Sequence, residues 1–135
     1  MSDYNQQVIA EFRSNEGVVG GHHSGRKLLI LHTTGAKSGE HRETPLVTMN
    51  NSDGNYFIIA SAGGSPKHPA WYHNLIAHPA VSIEVGTEKY DAIARVAEEP
   101  ERTQLYRQIA TKYDFFNTYE REAGRIIPVI VLERI

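Results

Sequence analysis

Residues 27–49 read KLLILHTTGAKSGEHRETPLVTM, and this stretch decides how the rest of the chain is interpreted. An apolar, strand-like run from Leu28 to Leu31 leads into a basic, glycine-containing turn between Gly35 and Arg42. A second strand-like run leaves the turn at Pro45. The pattern predicts a β-hairpin with a polar turn, around which the other elements are placed.

The predicted turn has the composition of an anion site. Gly35 and Gly39 allow a positive φ, so successive backbone N–H groups can point at one spot. Lys37 and Arg42 add positive charge and Ser38 adds a hydroxyl, which together suit a phosphate. An ordinary solvated hairpin turn has the same composition, and that alternative stays open. A Walker P-loop is excluded, because the upstream glycine is missing and strand signals lie on both sides.

The overall composition is that of a globular protein. With 135 residues and 40% hydrophobic content, we expect one domain over 1–135, in which 1–25 form an N-terminal helix and connector. A net charge of -2 argues against a nucleic-acid partner, and the absence of cysteine excludes thiolate chemistry. No export leader or transmembrane run is visible, so we expect a cytoplasmic protein. A peripheral contact with the inner face of the membrane stays open, although Arg13 is the only cation of the first helix.

The rest of the chain alternates short strand and helix signals. Ser2 or Asp3 can cap the first helix, and its apolar side carries Tyr4, Val8, Ile9 and Phe12. Further strands are predicted over 56–60, 81–85, 90–96 and 126–132, with Pro128 indicating an edge or bulge in the last. Further helices are predicted over 69–77, after Pro100 and around 114–119. These elements predict an α+β domain whose mainly antiparallel sheet of six or seven strands closes into a small barrel.

Several common site chemistries find no support in the residue patterns. His73 and His78 are five residues apart, on different faces of a helix, and no carboxylate cluster accompanies them, so we predict no metal. No serine lies in a G-x-S-x-G motif, and no G-x-G-x-x-G dinucleotide motif occurs. What remains is a shelf of small residues after the 56–60 strand, the basic turn and several aromatic side chains. Such a site suits a flat ring that carries a phosphate, as a flavin-like cofactor does. Plain core packing remains the alternative for each aromatic residue.

Several motifs in order along the chain resemble the deazaflavin-dependent nitroreductase family of actinobacteria. They are TTGAKSGEHR at 33–42, TPL at 44–46, ASAGG at 60–64, PAWYHNL at 69–75 and IPVI at 127–130. The resemblance covers nearly the whole chain. It implies a split β-barrel (FMN-binding split-barrel-like) that binds reduced coenzyme F-420 and transfers its hydride to quinones, nitroaromatics or activated enones.

The resemblance also implies roles for individual residues. Those implied to meet the phosphate and acidic tail of the cofactor are Lys37, Ser38 and Arg42. Those implied to line its ring are Pro45, Leu46, Ile59, Ala60, Ser61 and Ala62, with Ala70, Trp71, Tyr72 and Asn74 closing the far side. Those implied to line the substrate are Tyr113, Phe116 and Tyr119.

This chain departs from the family pattern at three positions. Ala36 and Ala62 stand where basic residues are common, which implies weaker affinity for the cofactor tail. Phe116 stands where the family has a tyrosine, so a hydroxyl is missing and reduction of nitro-prodrugs is in doubt.

The resemblance leads to a mechanism in which the cofactor donates a hydride to an electron-poor acceptor stacked on it. The proton comes from solvent, Tyr113, Tyr119 or Ser61, with a tyrosine serving best as a hydrogen-bond donor to developing negative charge. Two rival interpretations remain: an FMN-dependent split-barrel reductase, and a protein that binds the deazaflavin without turnover. The sequence does not give the oligomeric state.

Overall fold

The computed structural model describes residues 3–135, which form four α-helices and seven β-strands. The helices are α1 (Asp3–Ser14), α2 (Ala70–Ala77), α3 (Glu101–Lys112) and α4 (Phe115–Ala123). The strands are β1 (Leu28–Thr34), β2 (His41–Val47), β3 (Met49–Asn50), β4 (Tyr56–Ile59), β5 (Ala80–Val85), β6 (Glu88–Val96) and β7 (Val129–Arg134). Short 3₁₀ turns cover Gly21–His23 and Ala62–Gly64.

The seven strands form one antiparallel sheet in the order β2-β1-β5-β6-β7-β4-β3. Its two outer strands, β2 and β3, are consecutive in the chain and are separated only by Thr48. The Thr48 N–H donates to the Lys27 carbonyl (3.0 Å), and its hydroxyl donates to the Phe57 carbonyl (2.8 Å). The sheet therefore curls until its first and last strands meet at this buried residue. The α+β class with a mainly antiparallel sheet is confirmed.

The core has an inner part and two outer parts. Along β1, Leu29 and Leu31 point into the barrel, where they pack with Trp71 and Leu75 of α2. The alternate residues of β1, among them Ile30, pack under α1. Helices α3 and α4 cover the outer side of β4 and β7. Strand β1 is buried on both faces, which explains its continuous apolar sequence.

Three local predictions are wrong. Strand β2 begins at His41 instead of Pro45, because the hairpin register continues to the pair Thr34 and His41. Strand β7 lies between β6 and β4, so it is not an edge strand; Pro128 precedes it and accepts a hydrogen bond from the Ala60 N–H. The ring of Tyr4 does not join the buried face of α1, since this residue is 50% exposed.

Two expectations concern the start of the chain. The predicted cap at Ser2 lies outside the described residues, and Asp3 is the first residue of α1. None of the helices within residues 3–135 has the length and apolar character that a membrane span requires. The peripheral membrane contact stays a prediction.

Candidate functional site

The hairpin turn and helix α2 face each other across a surface pocket of about 640 Å³. The pocket is lined by Gly35, Ala36, Lys37, Ser38 and Arg42 from the hairpin, and by Ala70, His73 and Asn74 from α2. The Asn74 side-chain carbonyl accepts a hydrogen bond from the Ala36 N–H (2.9 Å), which ties the turn to the helix. The pocket volume falls in the range of about 300–1,000 Å³ that is typical of small-molecule sites. The turn therefore borders a groove.

The two glycines of the turn are needed for different reasons. Gly39 has a φ of 71°, as expected for a left-handed turn residue. Gly35 does not have a positive φ, so the prediction for this residue is wrong; instead, a Cβ there would collide with the Ser38 hydroxyl. The Gly35 N–H donates to the Glu40 carbonyl (2.7 Å) and closes the turn.

The turn offers two free backbone donors. The N–H groups of Gly35, Ala36, Gly39 and Glu40 are all used by protein acceptors. Those of Lys37 and Ser38 have no acceptor among the described residues. Of the N–H groups in the turn, those of these two neighbouring residues are therefore the ones that an anion could meet, fewer than the sequence predicted.

The charges of the turn are exposed and only partly balanced. The Lys37 side chain forms no hydrogen bond or ion pair within residues 3–135, so it is available to a ligand. Arg42 donates to a carboxylate oxygen of Glu40 (2.9 Å), and both side chains are largely in solvent. An anionic ligand competes with Glu40 for Arg42, whereas it meets Lys37 without competition.

The small-residue shelf after β4 has a left-handed backbone. Ala62, Gly63 and Gly64 have φ values of 48°, 65° and 88° in succession. For Ala62, which has a Cβ, this conformation is strained, and such strain is concentrated at functional sites. A Cβ added at Gly64 would lie 3.4 Å from Cα and Cδ1 of Tyr119, so the shelf packs directly against α4. The structure therefore brings Tyr119, one of the residues implied to line the substrate, next to the shelf.

Arg125 fixes this shelf, and no sequence pattern points to that role. Its guanidinium donates to the carbonyls of Ala60, Ser61, Ser65 and Lys67 at 3.0–3.2 Å. It also lies 3.0 Å from Nδ1 of His68. Burial and the Arg125 charge lower the pKa of His68, so this ring is neutral and accepts from the guanidinium. The acceptors are backbone atoms, which no pattern of residue types reveals.

The late aromatic residues form one connected group. Phe116 is buried, with its ring centroid 6.3 Å from Tyr106 and 5.9 Å from Tyr119. Tyr113 is also buried, and its hydroxyl accepts a hydrogen bond from the Lys27 N–H (2.9 Å). No partner for the Tyr119 hydroxyl is found within residues 3–135, and this side chain is only partly buried. Of the three predicted substrate residues, Tyr119 is the most open to a ligand.

Tyr106 is a second residue that the sequence reasoning missed. Its hydroxyl donates to the Phe116 carbonyl (2.7 Å), and burial raises its pKa to about 12. A tyrosine that is neutral and hydrogen-bonded in the core supports the aromatic group and offers no proton to a ligand.

The residues predicted to line the cofactor ring do not share one surface. Leu46 points to the barrel interior, whereas Pro45, opposite Ile30, lies on the α1 side of β2. Ile59 packs against α3 and α4, and Ala60 is fully buried. Only the backbone or the edges of several of these residues are left for contact with a ring.

Trp71 and Tyr72 differ in exposure. Trp71 is 7% exposed and packs in the barrel interior, which agrees with the alternative that it is a core residue. Its indole N–H has no acceptor among the described residues. Every fully buried side-chain nitrogen or oxygen among those residues has a hydrogen-bond partner, so the indole nitrogen is not fully buried. The indole N–H therefore reaches the surface. Tyr72 is half-buried and lies against His68, with ring centroids 4.6 Å apart. The Ser61 hydroxyl, like that of Tyr119, has no partner within residues 3–135.

Several known proteins are similar to this chain in sequence and in fold. Residues 5–134 match the family model described as F420H(2)-dependent quinone reductase. An F420H(2)-dependent quinone reductase of Mycobacterium tuberculosis (strain ATCC 25618 / H37Rv) is 38% identical over 109 residues, covering 78% of this chain and 72% of that protein. The solved structure of an F420-H2 dependent reductase (FDR-A) is also 38% identical, with a TM-score of 0.72, and covers 78% of this chain and 93% of that one.

A more distant structure shares the fold alone. The heme storage protein HutZ of Vibrio cholerae is 20% identical, with a TM-score of 0.60, over 97% of this chain and 90% of that one. With the likeness to FDR-A, the expected split-barrel fold is confirmed. The resemblance seen in the motifs is confirmed as well: this chain belongs to the F420H(2)-dependent quinone reductase family.

Proposed function

We propose that this chain is an oxidoreductase that transfers a hydride from reduced coenzyme F-420 to a quinone, with nitroaromatics and activated enones as further acceptors. The observation that carries the proposal is the pocket between the cationic hairpin turn and α2. The family to which this chain belongs is named for F420H(2) and for the reduction of quinones. The pocket is wide enough for a small-molecule cofactor, and its polar end carries unpaired donors.

The hairpin turn binds the phosphate and acidic tail of the cofactor in this proposal. The Lys37 ammonium and the N–H groups of Lys37 and Ser38 are free to donate to phosphate oxygens. Arg42 can turn from Glu40 to the ligand, because that ion pair is exposed and weak. The residues of the turn therefore fit an anionic group.

The shelf and α4 position the reacting end in this proposal. When bound, the reduced deazaflavin supplies the hydride. Arg125 holds the backbone from Ala60 to Lys67 in one conformation, so the shelf needs little reorganisation when a flat ring lies on it. Tyr119 packs on the same shelf and limits the access of water to that side.

Two hydroxyls are suited to assist the acceptor. Those of Tyr119 and Ser61 have no partner among the described residues, so each can donate a hydrogen bond to a quinone oxygen as negative charge develops. The Tyr113 hydroxyl accepts from the Lys27 N–H, which holds it in one position and leaves it less free to turn toward an acceptor. We therefore assign Tyr119 and Ser61 the direct role and Tyr113 a supporting one.

Anaerobic mixing of the protein with reduced F-420 and menadione tests this function. The expected result is the return of the oxidised cofactor's absorbance in proportion to protein concentration. Tight binding of the reduced cofactor without oxidation by any quinone, nitroaromatic or enone would support a binding protein without turnover. Fluorescence titration with F-420 and with FMN tests the cofactor, and stronger binding of FMN would overturn its identity.

A further inference from the structure

Five polar side chains meet on the side of the β1–β2 hairpin that faces away from the pocket. They form the histidine cluster, made of Arg13, His32, His41, Glu43 and Glu84. Paired residues of antiparallel strands share a face, and β1 pairs with β2 at His32 and Glu43, and at Thr34 and His41. The alternate residues of β2, including Arg42, point to the pocket side.

Three members of this cluster offer ligand atoms that converge. Nδ1 of His32 lies 2.7 Å from Nε2 of His41. The two rings are nearly coplanar, with an angle of 19° between their planes and centroids 4.9 Å apart, so the nitrogens meet edge to edge. One nitrogen of each ring and one carboxylate oxygen of Glu43 lie within 4.8 Å of one another. Two imidazoles and one carboxylate are a common ligand set for a divalent transition metal.

Glu84 holds His32 in the orientation that a metal ligand needs. A Glu84 carboxylate oxygen lies 2.5 Å from Nε2 of His32, and Arg13 donates to both oxygens of the same carboxylate (2.7 and 3.1 Å). A carboxylate in an ion pair only accepts, so Nε2 of His32 carries a proton and Nδ1 presents a lone pair to His41. A carboxylate behind a ligating histidine is a frequent feature of metal sites.

The cluster is open to a small ion from two sides. One pocket of about 320 Å³ is bordered by Arg13, His41 and Glu43, and a second of about 290 Å³ is bordered by His32 and His41. His41 itself is exposed. A hydrated cation can therefore reach the ligand atoms without unfolding the hairpin.

We propose that His32, His41 and Glu43 bind one divalent transition metal ion of the zinc type. The ion would replace the hydrogen bond between the two histidines, with the His41 proton moving to Nδ1 of the same ring. The distance between the two nitrogens would widen from 2.7 Å to about 3.3 Å, the spacing of tetrahedral ligands about 2.0–2.1 Å from zinc. Arg13 contacts one oxygen of Glu43, which leaves the other oxygen for the metal.

Zinc and cobalt titrations of the chelator-treated 135-residue chain test the site. Calorimetry with Zn²⁺ is expected to show one ion per chain with a dissociation constant of about 1 μM or below. Bound Co²⁺ is expected to give the visible absorption of a tetrahedral ion. His41→Ala, at an exposed position, is expected to weaken zinc binding at least about tenfold, and Glu84→Gln, which keeps all three ligands, about tenfold.

The double variant His22→Ala/His23→Ala is the matched control. These two histidines are also neighbours, with ring centroids 5.2 Å apart, and can bind metal at the surface. Their removal is expected to leave zinc affinity unchanged, and thermal melts check that every variant is folded. The proposal is overturned if His41→Ala binds zinc as tightly as the unmodified chain, if the affinity is lost with His22 and His23 instead, or if no cobalt band develops.

Discussion

The hairpin turn and the shelf are two loops of the proposed cofactor site, and they are built differently. The turn is exposed from Ala36 to Arg42; within residues 3–135 Lys37 has no partner, and the one carboxylate that pairs with Arg42 is the exposed Glu40. The shelf with its flanking residues, Ala60 to Lys67, is held by hydrogen bonds from one guanidinium, that of Arg125, to four of its backbone carbonyls. Adjustable charges suit a flexible, highly charged tail, whereas a fixed backbone suits a rigid ring that must be placed accurately for hydride transfer.

Arg125→Ala is expected to have the largest effect, because it leaves several shelf carbonyls without their donor. We expect the free energy of unfolding to fall by about 2–4 kcal/mol and turnover to fall with it. Urea denaturation and steady-state assays measure the two effects. Arg121→Ala is the control, since that side chain contacts only Thr118 among the described residues, at 3.3 Å. A variant as stable as the control would show that the shelf does not depend on Arg125.

Glu84 holds the outer face of the hairpin through its contacts with Arg13 and His32, and Glu84→Gln tests how much these contacts stabilise the fold. Arg13 and His32 hold the pKa of Glu84 at about 2, below its usual 4.5, with the Arg13 hydrogen bond as the largest cause. Because the folded pKa is depressed, the stabilisation is full above pH 4.5 and is lost as the pH falls toward 2. At neutral pH we expect Glu84→Gln to cost about 1–2 kcal/mol, less than the full shift implies, because Arg13 is partly in solvent.

Urea denaturation in the presence of a chelator, at neutral pH and near pH 3, measures this difference. The gap between the unmodified chain and Glu84→Gln is expected to shrink at the lower pH. Glu88→Gln, which removes an exposed ion pair with Arg134, is the control and should change little at either pH. A gap that stays constant would contradict the assigned charge of Glu84.

Tyr119→Phe separates chemistry from binding on the shelf side. The ring and its packing stay, while the hydroxyl that we assign to the acceptor is lost. We expect kcat with menadione to fall about tenfold with F-420 affinity nearly unchanged, as for the loss of one donor to a developing charge. Tyr4→Phe, at an exposed position on α1, should have no effect. An equal loss of turnover and cofactor affinity would remove this assignment.

Glu40→Gln is expected to give the smallest effect, in the opposite direction. It frees Arg42 from its only carboxylate partner within residues 3–135, so F-420 should bind about two- to threefold more tightly at low salt. Glu98→Gln, another exposed acidic residue, is the control. Unchanged or weaker binding in Glu40→Gln would mean that Arg42 does not meet the cofactor tail.

The sequence predicted the elements better than the contacts between them. Apolar runs and turn residues located the hairpin, the strands and the four helices, because these signals are local. The order of the motifs also identified the family. The start of β2 was predicted four residues too late, because His41 to Thr44 carry no strand signal of their own and pair only because β1 continues beside them.

The missed residues act over long distances along the chain. Arg125 binds carbonyls of residues 58 to 65 positions away, and carbonyls are present at every residue. The register of the hairpin brings His32 and His41 together. The metal prediction from the sequence had considered only a pair at helical spacing, His73 and His78. Position 35 does require glycine, as predicted, but not for a positive φ. A Cβ there would collide with the Ser38 hydroxyl, a contact that only the folded structure shows.

The most direct test of the account is the salt dependence of F-420 binding by the double variant Lys37→Ala/Arg42→Ala, followed by cofactor fluorescence. The unmodified chain should lose affinity as salt rises, and the variant should bind about 10- to 100-fold more weakly at low salt with little further salt dependence. Lys89→Ala/Lys112→Ala, which removes two exposed charges elsewhere, should match the unmodified chain. If the turn variant binds F-420 with the affinity and salt dependence of that control, the hairpin turn does not hold the cofactor and the account is contradicted.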